Sequence, residues 1–209
     1  ERDAEARVDI VVCDHLGSDD KWRNIAKREL ADVVPPDELG AFLDAHAGEI
    51  EAIFHLGASS STTETDVDFI LRNNFRLSLD LWQWCATHDA RLIYASSAAT
   101  YGDGSDGFTD DASIAGLSKL APLNPYGWSK HLFDRRVLRL IADGAPSPRQ
   151  WAGLKFFNVY GPNEYHKGGQ KSVVSQIYPR AAEGLPAILF RSHHPDYTDG
   201  GQLRDFVWV

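Results

Sequence analysis

The chain has 209 residues, 43% hydrophobic and 24% charged, which suits a soluble globular fold with a full core and excludes a disordered or low-complexity polymer. A formal net charge of −9 argues against a nucleic-acid partner, and no apolar run approaches the roughly 20 residues that span a membrane. Cys13 and Cys85 make neither a disulfide framework nor a metal-ligand spacing, so both are expected as small buried hydrophobes in a reducing, cytoplasmic protein without a metal site.

The first apolar run, Val8–Asp14, reads as a strand, and Pro36–Ala47 as a helix entered through Pro35 and Pro36. Glu51–Ala58 is a second strand and Thr65–Asp89 a long helix with Phe69, Leu77, Leu81 and Trp84 among its apolar positions. Arg91–Ser97 is a third strand, Tyr126–Ala142 returns to helical spacing, and Leu154–Val159 is a fourth strand. A Gly/Lys/His loop follows Gly161, then a helix near Val173–Glu183 and short strands at Ala187–Arg191 and Leu203–Val209. Strands separated by helices of this length imply crossover connections and a Rossmann-type, doubly wound parallel α/β sheet. Residues 1–160 are expected to form the nucleotide-binding domain and residues 161–209 the start of a smaller substrate-binding region.

Ligands of such sheets lie beyond the carboxyl ends of the strands, and polar residues stand there. Asp14 suits a ribose or a turn, while His15 and Lys21 suit a 2′-phosphate, favouring NADP over NAD. After the second strand comes H-L-G-A-S-S-S-T-T, His55–Thr63: small residues allow close backbone approach, and the hydroxyls serve either a ligand or a helix cap. Tyr126 and Lys130, four apart, share one helix face, where an ammonium beside a phenol stabilises phenolate and fits Tyr for proton transfer. Ser97, ending the third strand, is the third group, placed to hold a reacting hydroxyl. Asn158 suits substrate. Lys167, in H-K-G-G, suits a phosphate, a base or a solvated loop. Residues 1–150 carry 15 Lys/Arg against 25 Asp/Glu and the remainder 6 against 5, so the C-terminal stretch is the less acidic part.

Y-A-S-S-A-A-T-Y-G at Tyr94–Gly102, Y-G-W-S-K, F-N-V-Y-G-P and R-D-F-V-W-V at Arg204–Val209 resemble the extended short-chain dehydrogenase/reductases, the NAD-dependent epimerase/dehydratase family. G-A-S-S-S-T-T-E at Gly57–Glu64, N-N at Asn73–Asn74 and E-Y-H-K-G at Glu164–Gly168 resemble its ADP-heptose 6-epimerase branch, over nearly the whole chain. That resemblance implies a tightly held NADP, a nucleotide-sugar substrate of lipopolysaccharide-core synthesis, and inversion at sugar C6. It implies cofactor contacts at Asp14, His15, Lys21, Leu56, Gly57, Ala58, Ser59, Ser60, Asn73, Lys130 and Val159. Ser97 would hold the reacting hydroxyl, and Tyr126 and Lys167 would be the two acid/base groups. Asn158, Gly169, Gln176, Phe190, Arg191, Ser192, His193 and Arg204 would line the substrate site.

Three positions depart from the family pattern: Gly169 stands for Ser, Gln176 for His, and Pro36 near an expected cofactor-binding Lys. A dehydratase would need an acid/base pair where this chain has Ser97, Ala98 and Ala99. A 4-epimerase would not need Lys167, and a silent NADP-binding regulator would have no use for a polarised Tyr126. The chain opens on Glu1, contains no Met and lacks a Gly-rich turn, so a longer protein, homo-oligomeric when complete, is expected. In that reading Val8–Asp14 and Arg91–Ser97 flank the place of a missing central strand, and residues 1–209 alone neither fold nor bind NADP.

Overall fold

The computed structural model describes residues 8–192 and 195–209. Packing divides the chain into two compact units, Glu1–Ile50 and Glu51–Val209. In the first, β1 (Val11–Cys13) pairs in parallel with β2 (Asp32–Val34), Val12 opposite Val33. The crossover carries a 3₁₀ turn at Asp20–Asn24, capped by the Asp19 carboxylate accepting the Lys21 N–H at 2.9 Å. The three-residue β2 was not expected from the sequence: it is too short to show a period, and Pro35 ends it at once. The prolines form a turn that precedes α1 (Leu39–Ala45), so the expected helix over Pro36–Ala47 is shorter at both ends. Cys13 is exposed, contrary to expectation, because β1 has no buried face within this unit; Cys85 is fully buried.

The second unit is built on three parallel strands, β3 (Ala52–His55), β4 (Arg91–Ser97) and β5 (Trp151–Phe156), in the order β3-β4-β5. β4 therefore has a neighbour on each side. The expectation that Arg91–Ser97 borders an open position is corrected, since the unseen β2 had shifted the count. Along β4 the period of two puts Leu92, Tyr94 and Ser96 on one buried face. That face packs against α3 (Leu77–Thr87) and α5 (Pro125–Ala142) through Trp82, Cys85, Phe133 and Val137. Each such apolar side chain contributes roughly 1.5–3 kcal/mol on burial. Tyr94 meets Phe133 edge-on at 4.9 Å, and its ring crosses Gly153 so closely that any Cβ there would sit 2.4 Å from it.

The expected helix Thr65–Asp89 is present but interrupted. α2 (Val67–Ile70) runs into a π-helical segment, Leu71–Arg76, and then into α3. The extra residue of a π turn rotates side chains off the regular face, and such turns recur at functional sites. Here Asn74 becomes fully buried while Asn73 stays outside.

Leu154–Val159 is two strands rather than one: the chain leaves the main sheet after Phe156, and β6 (Asn158–Tyr160) pairs in parallel with β7 (Phe206–Trp208). Ala187–Arg191 forms no strand; Ile188 and Phe190 are 75% and 74% exposed, so little burial favours one. The short helix α4 (Ile114–Leu117) was not expected from the sequence, whereas the helix expected near Val173–Glu183 is present as α6 (Val173–Ala182). The Rossmann-type parallel α/β class stands.

Candidate active site

α5 carries one stripe facing the sheet: Tyr126, Lys130, Asp134 and Val137, with Phe133 beside it. Its apolar end packs on Leu92 and Tyr94, and its polar end lies at the carboxyl end of β4. Asn124 starts the helix by accepting the Gly127 N–H at 2.8 Å, with Pro125 at the first helical position. Gly127 lets the helix press on the turn after β4, where a Cβ would fall 2.7 Å from the Ala99 carbonyl oxygen. Both partners there are backbone, so neither can swing aside. Gly127→Ala should therefore displace the start of α5 and lower turnover roughly 10²-fold, the effect that a misplacement of about 1 Å can have in an oriented site; steady-state kcat of the folded variant checks this, and an undiminished rate would count against the close approach.

Ser97 ends β4, its Oγ accepting the Ala99 N–H at 3.1 Å, which leaves the hydroxyl hydrogen free to donate. Lys130 is only 3% exposed and makes no hydrogen bond or ion pair among the described residues. Burial pushes its ammonium down to about 8, opposed by the charge of Asp134. Above that pH the site loses its cation. The alkaline limb of kcat/KM should accordingly fall near pH 8, and Lys130→Arg, which keeps its charge, should move the limb upward even as it costs rate. A pH–rate profile in both proteins checks it; a limb unmoved by the Arg substitution assigns the titration elsewhere.

Behind Lys130 lies a buried polar cluster. The Asn74 amide clamps Ser59, accepting its N–H at 2.8 Å and donating to its carbonyl at 2.9 Å, and donates also to Ser129 Oγ at 3.0 Å. Ser129 in turn donates to the Tyr126 carbonyl at 2.7 Å. Ser78 gives its hydrogen to the Asn74 carbonyl, so His55 Nε2 is the donor in their 2.8 Å contact. Burial, and then Lys130, push His55 down to about 4, so it stays neutral beside the ammonium. One network thus ties the loop after β3, the π-helical segment and the start of α5.

The expected cofactor residues fall in two groups. Leu56, Gly57, Ala58, Ser59 and Ser60 follow β3, with open space where a Gly57 Cβ would stand; Asn73 bonds Phe69 O at 2.8 Å, and Val159 lies in β6. Asp14, His15 and Lys21 belong to the first unit, where Lys21 Nζ meets Asp14 at 2.6 Å and the His15 carbonyl at 3.0 Å. Within the second unit, a Lys130 ammonium without a partner among the described residues and a loop open at Gly57 fit the nicotinamide half of a dinucleotide; within the first, the strand-end Asp14–Lys21 pair fits a ribose.

Lys167 stands on a 3₁₀ turn, Tyr165–Gln170, after β6, with its side chain 42% exposed. Glu164 staples that loop shut: its carboxylate accepts Gly161 N–H at 3.2 Å and Ser172 N–H and Oγ at 2.6 and 2.7 Å, with Lys167 Nζ 4.0 Å away. Burial opposes the charge, but the Ser172 and Gly161 donors and Lys167 prevail and hold it below the usual carboxylate range. Gly169 lies in the same turn. Gln176 Nε2 donates to Lys171 O, and Asn158 Nδ2 to Asp205 O at 3.0 Å. Phe190, Arg191 and Ser192 lie on an exposed loop closed by Ser192 N–H to Asp199 and Gln202 to Arg191 O, and Arg204 is exposed beside it. His193 lies outside the described residues. Asn74, Ser129 and Glu164 were not singled out for these roles from the sequence, although all three sit inside the quoted motifs.

Residues 1–209 match the model of the NAD dependent epimerase/dehydratase family. The chain is 49% identical over 203 residues to the ADP-L-glycero-D-manno-heptose-6-epimerase of Fusobacterium nucleatum, covering 96% of this chain and 60% of that protein. It is similar to the solved ADP-L-glycero-D-manno-heptose-6-epimerase of Helicobacter pylori, with TM-score 0.70 and 27% identity over 96% of this chain and 60% of that one. It is similar also to the UDP-Glc/GlcNAc 4-epimerase of Campylobacter jejuni, with TM-score 0.63 and 27% identity over 96% and 63%. The chain spans about 60% of the length of the curated relatives it matches.

Proposed function

The chain belongs to the NAD dependent epimerase/dehydratase family, and from that premise we propose that it forms the catalytic part of an ADP-heptose 6-epimerase. The reaction converts ADP-D-glycero-D-manno-heptose to its L-glycero epimer, a precursor of lipopolysaccharide core. The observation that carries this reading is the stapled Lys167 loop, a second acid/base candidate beyond Ser97, Tyr126 and Lys130. Inversion at one carbon through a ketone needs a proton acceptor and a proton donor for opposite faces, and one tyrosine serves only one face.

A bound nicotinamide would take hydride from C6 and return it to the other face. Tyr126 accepts the proton of the C6 hydroxyl as the carbonyl forms, Ser97 donates a hydrogen bond to that oxygen, and the Lys130 cation stabilises the phenolate. After the carbonyl presents its opposite face, Lys167 supplies the proton to the new alkoxide. Ser59, held by Asn74, and the residues around it bind the dinucleotide. Asn158, Gly169, Gln176, Phe190, Arg191, Ser192, His193 and Arg204 are assigned to the substrate nucleotide.

The cofactor is NADP in this reading. Lys21 offsets the charge of Asp14, so a 2′-phosphate there meets a neutralised carboxylate rather than a bare one. Residues 1–160 take the cofactor and residues 161–209 begin the substrate region. No described helix is long and apolar enough to cross a membrane, and a nicotinamide cofactor with free thiols suits the cytoplasm, where the complete enzyme would act as a homo-oligomer on a nucleotide sugar. Incubating the intact enzyme with ADP-D-glycero-D-manno-heptose and following C6 configuration by NMR tests the proposal. Inversion supports it; no inversion, with turnover of a UDP-hexose at C4, replaces it by a 4-epimerase.

A further inference from the structure

Asp134 is 6% exposed and stands one helical turn beyond Lys130 on α5. Its carboxylate accepts three hydrogen bonds from two different strands: Tyr94 OH at 3.1 Å and Ser96 Oγ at 2.6 Å from β4, and Lys155 Nζ at 2.8 Å from β5. Lys155 donates also to Thr100 Oγ1 at 2.8 Å, and Thr100 donates to the Ser97 carbonyl at 2.8 Å. An unbroken chain of contacts therefore runs from the helix that carries Tyr126 and Lys130 to the backbone of Ser97. Thr100 is fully buried, and Lys155, its side chain 16% exposed, lies 5.3 Å from the centre of the Tyr101 ring.

We propose that Asp134, paired with Lys155, is a positioning residue of the active site: it locks the end of β4 to α5 and places a negative charge one helical turn from Lys130. The inference rests on the epimerase reading only for its assay. Stability alone is a weak reason for such a pair, because a buried ion pair often does no better than apolar residues of the same volume. Three donor groups converging on a carboxylate one helical turn from a cation that has no acceptor among the described residues do explain it.

The charged and titratable groups around Lys130 are few. His55, at the end of β3, lowers its affinity for a proton little, being neutral at pH 7; Tyr126 precedes it and Asp134 follows it on α5. Around Asp134 stand Tyr94 from β4, Lys155 from β5, Tyr101 from the turn, and His131 beside it on α5, whose imidazole is pushed down by burial, Arg135 and Lys155. Burial and then Asp134 push the Tyr94 phenol up, so it remains a donor. The charge of Asp134 thus opposes the effect of burial on Lys130.

The test uses the intact enzyme, with Asp134→Asn, Asp134→Glu, and the double variant Asp134→Asn with Lys155→Met, which removes both charges of the pair so that neither member is left alone. In both variants lacking the carboxylate, the alkaline limb of kcat/KM should move down by about one pH unit, as loss of a near counter-charge requires, with kcat at pH 7 reduced by roughly tenfold or more and KM little changed. Asp134→Glu should bring the limb back. A double variant that folds normally and keeps the wild-type limb and kcat overturns the inference, as does a single variant that lowers only thermal stability. If the wild-type enzyme itself fails to invert C6, the substrate reading is what fails. The limb is then read with whichever sugar nucleotide is turned over.

Discussion

Replacing Tyr126 by Phe lowers kcat for C6 inversion by roughly 10²–10⁴-fold, the usual effect of removing a positioned acid/base, and leaves the fold and bound cofactor in place. Fold retention follows from how the residue is held. Its side chain is half-buried, and the contact that anchors it to the rest of the site is made by its backbone carbonyl, which accepts from Ser129 Oγ at 2.7 Å in either protein. Asn124, Pro125 and Gly127 still start α5 where they do now. What disappears is the one oxygen that can trade a proton with substrate while Lys130 holds its charge. Steady-state kcat with an unfolding scan on the same sample measures both halves. A Phe variant that turns over at near wild-type rate removes Tyr126 from the chemistry, whatever its place on the helix.

Lys167→Ala carries the second large effect and separates this reaction from its relatives. If Lys167 protonates the second face, the variant loses C6 inversion by a similar 10²–10⁴-fold, while Tyr126 still supports hydride exchange in one orientation. The loop itself should persist, since Glu164 holds it through Gly161 and Ser172 rather than through the lysine, whose Nζ is 4.0 Å distant. If Lys167 only binds phosphate, KM rises and kcat changes little, and an epimerase acting at another carbon becomes the better account. Comparing kcat and KM for the overall reaction with single-turnover change in cofactor absorbance distinguishes these outcomes.

The parts of the site legible in the sequence were those written at a fixed spacing. Tyr126 and Lys130 are four apart on an amphipathic helix, and Ser97 ends an apolar run, so period and position alone brought them forward. Asp134 carries the same signal: it is four residues beyond Lys130 and stands between apolar Phe133 and Val137 on the face turned to the sheet. Lys155 likewise is a lone charge inside L-K-F-F. Pairing them required the register of β4 against β5, which only the folded chain supplies. The Asn74 clamp on Ser59 joins residues 15 apart through a π-helical turn that no propensity marks. β2 escaped because three residues before a proline pair show no alternation, and that omission misplaced Arg91–Ser97 at an edge. Ala187–Arg191 failed in the opposite sense: its residues favour a strand, but Ile188 and Phe190 stay about three-quarters exposed.

Substrate carrying deuterium at C6 tests the central claim, that inversion proceeds by removal and return of the same hydride within one site. With the intact enzyme in ordinary water, the account predicts L-glycero product that keeps its deuterium at C6 through complete conversion, with no label reaching solvent. Inverted product that has lost its C6 deuterium to water would contradict it, since that outcome means proton abstraction at carbon rather than transfer to a bound nicotinamide.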